Sequence, residues 1–148
     1  MASAKSSPLR NVDKIAKVLA VKTKSKRFYF QKFLKSLGFR RKKSCGIGYP
    51  WIFIHRELQV VVKRPFISDR GRSAKPRKAI KTKVIKFYPN DADISGELYI
   101  FVQPLADVSR SARRAAMKYF DEFNYTNEFD YHSNNVAVFR GKPVLIDW

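Results

Sequence analysis

The densest set of chemistry-bearing side chains lies near the carboxyl end, in Asp130-Tyr131-His132-Ser133-Asn134-Asn135 and then Asp147. Between them, Val136 to Phe139 and Val144 to Ile146 frame Arg140-Gly141-Lys142-Pro143, a pattern that predicts a small β-hairpin. Asn135 and Asp147 then stand at the ends of neighbouring short elements. An amide oxygen and a carboxylate flanking a hairpin can share a hard cation such as Mg²⁺, which leaves Asp130 to accept a proton from an attacking hydroxyl. Singly, an Asp or Asn at a turn is usually a cap or an Asx-turn; only the combination points to chemistry. His55 and His132 lack the Cys/His spacing of a zinc site, and no Ser/His/Asp order makes a triad. His132 is expected to position its loop, and Cys45, with no nearby base, to be structural.

The elements that must hold these residues follow from periodicity. Val12, Ile15, Ala16 and Leu19 recur at helical spacing after Asn11, a candidate N-cap, so a short amphipathic helix is expected. Phe30, Phe33, Leu34 and Leu37 repeat that spacing between Ser25, a second candidate cap, and a stop at Gly38, with a basic outer face of Lys26, Arg27, Lys32 and Lys35. Trp51 to His55, Leu58 to Lys63, Ala79 to Tyr88 and Glu97 to Gln103 are rich in β-branched and aromatic residues, predicting an antiparallel sheet. Ser68 to Lys78 has no apolar period and reads as a mobile basic loop. Ser109 or Ser111 opens a helix with Ala112, Ala115, Ala116, Tyr119, Phe120 and Phe123 on one apolar face.

Composition bounds the possibilities. The 148 residues are 45% hydrophobic and 14% aromatic, enough for one core and too much for a disordered basic tail. The expectation is a flexible lead-in over residues 1–10 and a single α+β domain over 11–148, an antiparallel sheet with flanking helices. No apolar run approaches the roughly 20 residues of a membrane span. Residues 1–10 lack the apolar stretch of a secretory signal, and the single Cys45 forms no internal disulfide, so a cytoplasmic setting is the default. Charge is uneven: residues 1–86 hold 25 Lys+Arg and 3 acids, against 6 and 9 in residues 87–148. A field of that sign attracts nucleic acid, an acidic host protein or nucleotide phosphates, unless it only solvates the surface. Arg40, Arg41, Lys42 and Lys43, with Arg70, Arg72, Lys75, Arg77 and Lys78, are the candidate contacts for nucleic acid or an acidic partner. Tyr29, Tyr49 and Trp51 serve either as stacking groups or as core.

Asp130-x-His132-x-x-Asn135, the hairpin, and Ile146-Asp147-Trp148 together resemble the catalytic-loop and metal-loop pair of the protein-kinase-like superfamily. The form is the D-x-H-x-x-N common among aminoglycoside-kinase-like and small phage-type kinase-like proteins. The resemblance implies a reduced kinase-like fold, an N-lobe plus the catalytic hairpin, with ATP and Mg²⁺ as cofactors. It implies that Asp130 is the catalytic base, that Asn135 and Asp147 bind Mg²⁺, and that a lysine on the third strand holds the nucleotide α/β-phosphates. Val60-Val61-Val62-Lys63 is similar to that lysine strand, and Cys45-Gly46-Ile47-Gly48-Tyr49 to a shortened glycine-rich loop contacting nucleotide through Gly46 and Gly48. Gln103-Pro104-Leu105 would be the hinge along which adenine sits, and Ser111 to Phe123 the helix beneath the active site. The family's glutamate partner for the lysine has no counterpart, since Asp69 is the only acid between Lys63 and Lys86. The sequence also stops one residue after Asp147, so what it spans resembles a nucleotide-binding half. The implied activity is transfer of phosphate to a protein or small-molecule hydroxyl, as an ATP-dependent kinase, or nucleotide binding alone, as a pseudokinase. The alternative is a non-enzymatic basic module that docks on nucleic acid or on an acidic host protein and inhibits it.

Overall fold

The computed structural model describes residues 7–25, 28–42, 51–64, 78–87, 98–122 and 135–146. Helix α1 (Pro8–Lys22) buries Val12, Ile15, Ala16 and Leu19, the stripe expected from their spacing. It begins at Pro8 rather than after Asn11, so residues 8–10 are helical and not part of a lead-in. Proline suits the first turn, where its missing N–H leaves no bond unmade and its φ is already helical. Asn11 is therefore inside the helix, 2% exposed, and its Nδ2 donates to the Leu58 carbonyl at 3.0 Å, a tertiary bond in place of a cap.

Helix α2 (Phe30–Ser36) starts after Tyr29 rather than at Ser25, and buries Phe30 and Leu34. It ends as its glycine predicts. Gly38 has φ +96°, the Gly38 N–H donates to Lys35 O, and the Phe39 N–H donates to Leu34 O, each at 3.0 Å. This is the paired-bond C-terminal motif that requires a left-handed residue, and Phe39 and Leu34 join the same core.

Five strands follow: β1 (Arg40–Arg41), β2 (Trp51–His55), β3 (Val60–Arg64), β4 (Lys83–Phe87) and β5 (Leu98–Pro104). They form one antiparallel sheet in the order β1-β2-β3-β5-β4, so the α+β class holds. The expected third strand, from Ala79, begins only at Lys83. Because side chains alternate along a strand, the register assigns each residue to a face. Phe53, Val60, Val62, Ile85, Ile100 and Val102 pack with α1 and α2 in one core, where Phe30 meets Phe53 edge-on at 5.5 Å. On that face Lys83 reaches Asp13 of α1 at 3.9 Å.

Helix α3 (Arg110–Glu122) and the hairpin of β6 (Val136–Phe139) and β7 (Lys142–Leu145) complete the described chain. Ala112, Ala116 and Phe120 of α3 are buried, as expected, whereas Ala115 is exposed and Phe123 lies outside the described residues. By compactness the chain divides into two units, Met1–Gly71 with Thr82–Leu105, holding the five-stranded sheet, and Arg72–Lys81 with Ala106–Trp148, holding α3 and the hairpin. Among the described residues no helix is long and apolar enough to cross a membrane.

Candidate functional site

The hairpin is built around two left-handed residues, Arg140 at φ +52° and Gly141 at φ +76°, with Phe139 paired to Lys142 across them. Two positive φ values in a two-residue loop match the right-handed twist of the strands, and glycine supplies the second without steric cost. β7 therefore starts at Lys142, ahead of the expected Val144. At its open end Val136 pairs with Leu145, and the Ile146 N–H donates to the Asn135 carbonyl at 2.8 Å. Asn135, 4% exposed, is thus fixed opposite the residue that precedes Asp147 in the chain. Asp130, His132 and Asp147 lie outside the described residues.

Both edges of the hairpin are pinned. Asp107 exchanges backbone bonds of 2.8 and 3.0 Å with Val138 on one side. On the other, the Leu145 N–H donates to Lys78 O at 2.8 Å and the Ile80 N–H to Leu145 O at 2.9 Å. Ala116 and Phe120 of α3 pack behind Val136 and Leu145. Asp107 also leads into α3: its Oδ1 accepts the Ser109 N–H at 2.9 Å, and Ser109 Oγ accepts the Ala112 N–H at 3.3 Å, the N-cap expected of Ser109. The Ser109 N–H, with its hydroxyl, holds the Asp107 carboxyl below the usual carboxylate range.

Lys63 occupies the other unit. It is half-buried on β3, the third strand in chain order, paired with Ile52 on one side and Phe101 on the other. Since Val60 and Val62 face the helices, Lys63 and the buried Val61 point to the opposite face of the sheet. Ile52, Ile54, Phe101, Tyr99 and Gln103 share that face by register. Gln103, 3% exposed, is held there by its Nε2 donating to Thr82 Oγ1 at 3.0 Å. β5 pairs with β3 and ends at Pro104, and the Leu105 N–H donates to Gln59 O at 2.8 Å, tying the proposed hinge segment to the β2–β3 turn.

Of the basic candidates, Arg40, Arg41 and Lys42 are exposed at the sheet edge. Lys78, read from sequence as part of a mobile loop, is instead tied to the hairpin by its carbonyl, with its Nζ 5.8 Å from the Tyr119 ring centroid. Lys43, Gly46, Gly48, Arg70, Arg72, Lys75 and Arg77, like Cys45 and Tyr49, lie outside the described residues. Tyr29 is 64% exposed and so is not core. His55 is structural: its Nδ1 accepts the Leu58 N–H at 3.2 Å, and its ring meets Phe39 edge-on at 5.2 Å. Sequence reasoning missed Gln103 as an anchored polar group, although a glutamine inside a run of Tyr, Ile, Phe and Val was a readable signal. Among the described residues no three His, Cys, Asp or Glu side chains gather as a metal site. Comparison with protein-family models, with curated proteins and with solved structures returned no match for this chain.

Proposed function

We propose that this chain binds ATP together with Mg²⁺ and handles the γ-phosphate as a reduced kinase-like phosphotransferase. One observation carries the reading: the hairpin register, closed by the Ile146-to-Asn135 bond of 2.8 Å, sets Asn135 across from the residue beside Asp147. The amide of Asn135, which is buried, and the carboxylate of Asp147 are residue types whose hard oxygens would suit Mg²⁺. When bound, that ion neutralises charge on the β- and γ-phosphates. Two features of the sheet agree with the reading: Lys63 stands on the third strand, and its strand pairs with the one leading into Gln103-Pro104-Leu105.

In this scheme Lys63 holds phosphates, and Asn135 and Asp147 hold the cation. Asp130 orients the acceptor hydroxyl and accepts its proton as the phosphorus–oxygen bond forms. Catalysis is then chiefly positioning and charge, because the transferring phosphoryl needs little covalent help. The acceptor is a hydroxyl of a protein or of a small molecule. Transfer of labelled γ-phosphate to such acceptors should fall by at least about 100-fold in Asp130→Asn, within the range for loss of a general base, while ATP binding persists. Unchanged transfer in that variant would remove Asp130 from the scheme.

A further inference from the structure

The outer face of α1 is cationic along most of its length. Arg10, Lys14, Lys17 and Val21 follow one another at i, i+4, i+7 and i+11, so they form a single stripe of about 16 Å, and all four are exposed. Val18 and Lys22 flank the stripe and are exposed too. No carboxylate interrupts it: Asp13, the one acid of the helix, lies 3.9 Å from Lys83 of the sheet. The surface continues onto α2. Lys22 Nζ is 5.8 Å from the Phe33 ring centroid, which docks the last turn of α1 on that helix. The Phe33 N–H donates to Tyr29 O at 2.9 Å, so Tyr29 stands one turn from the contact. Its neighbours Phe28, Phe30 and Phe33 pack in or against the core, whereas Tyr29 keeps 64% of its surface in water. Lys24 before it in the chain, and Lys32 and Lys35 after it, are also exposed.

These residue types select the ligand. The stripe has ammonium and guanidinium groups but no amide side chain, a set that holds phosphates rather than reads base edges. An exposed ring beside such cations stacks on an unpaired base. A bilayer is the poorer fit, because the apolar stripe that would enter it, Val12, Ile15, Ala16 and Leu19, is already buried in the core, leaving only Val18 and Val21 outside.

We propose that the outer face of α1, together with Tyr29, is a docking surface for single-stranded nucleic acid, bound without sequence preference. Arg10, Lys14 and Lys17 contact the phosphate backbone, and Tyr29 stacks on a base. The surface is carried by helices rather than by the basic loop or sheet edge singled out from sequence, and it does not depend on the nucleotide site.

Fluorescence anisotropy of the full chain with a labelled oligothymidylate, titrated at several salt concentrations, tests it. The double variant Lys14→Gln/Lys17→Gln is expected to weaken binding by about tenfold and to lower the salt slope by about 1.4, since each phosphate contact to a single strand contributes about 0.7. Tyr29→Ala should weaken binding by about fivefold or more with the slope kept, as for loss of stacking. Arg114→Gln/Lys118→Gln takes the same charge from exposed positions of α3 and should leave affinity within about twofold. All three variants should melt like wild type, because every changed side chain is exposed. An equal loss in the α3 pair, wild-type affinity in Tyr29→Ala, or no oligonucleotide binding by wild type overturns the proposal. So does equal affinity for polyglutamate, which marks plain attraction of opposite charge, or for phosphatidylserine vesicles, which marks a lipid surface.

Discussion

The two regions that carry Lys63 and Asn135 are held in place by different means. Lys63 sits on a strand with neighbours on both sides, in a five-stranded sheet backed by a core that draws on two helices. Asn135 begins a two-stranded hairpin, an element only marginally stable alone, which leans on one helix and on single backbone pairings at Asp107 and at Lys78 to Ile80. The lysine end is over-determined; the asparagine end depends on a few contacts. Position at the first should survive local damage, whereas position at the second should fail with any one of its supports.

The largest test removes a buried ring from each region. Phe53→Ala and Phe120→Ala both delete a fully buried side chain, and each is expected to cost about 3–5 kcal/mol. Their consequences should differ. In Phe120→Ala, hydrogen-exchange protection of β6 and β7 should collapse while β3 and β5 stay protected; equal loss in both regions would dissolve the contrast.

Glycine substitutions sharpen it at smaller scale. Gly38→Ala places a methyl at φ +96° and only 3.0 Å from His55 Nε2, combining strain with collision. Gly141→Ala meets only strain, since nothing lies within 4 Å of its added carbon. Denaturant midpoints should therefore show a cost of about 2–3 kcal/mol for the first and roughly 1 kcal/mol for the second. Equal costs would mean that the His55 ring yields freely.

The smallest effect is a pH dependence at the hairpin edge. The Asp107 carboxyl, held below its ordinary range by the Ser109 N–H, binds its proton more readily unfolded than folded. Its stabilising contribution is complete above the usual carboxylate value of about 3.9 and is lost as pH falls through the lowered folded value. Asp107→Ala should flatten the acid limb of thermal stability in that window alone. An identical acid limb in the variant would contradict the Asp107–Ser109 pairing.

Much of this architecture was legible from residue spacing. The buried stripe of α1, the stop at Gly38 and the strands around Phe53, Val62 and Val102 follow from apolar periods of a helix or a strand, and burial enforces them. The hairpin was legible because Arg140-Gly141 sits between two apolar runs. The pairing of β1 was not: it depends on how Arg40 and Arg41 register against β2, a long-range pairing that a two-residue period cannot specify. Nor was the role of Asn11, whose cap-like type was overridden by a tertiary bond to the Leu58 carbonyl. Asp130, Asn135 and Asp147 were singled out by their order along the chain around the hairpin, with Asp130 and Asp147 outside the described residues, whereas the anchoring of Gln103 by Thr82 required the fold.

Mg²⁺ dependence of ATP binding is the decisive measurement. Titrating ATP into wild type and Asp147→Ala, each with Mg²⁺ and with a chelator, should give tight binding only for wild type with Mg²⁺, and the same weak binding in the other three arms. ATP affinity that is indifferent to Mg²⁺, or unchanged in Asp147→Ala, would remove Mg²⁺ and Asp147 from the nucleotide site.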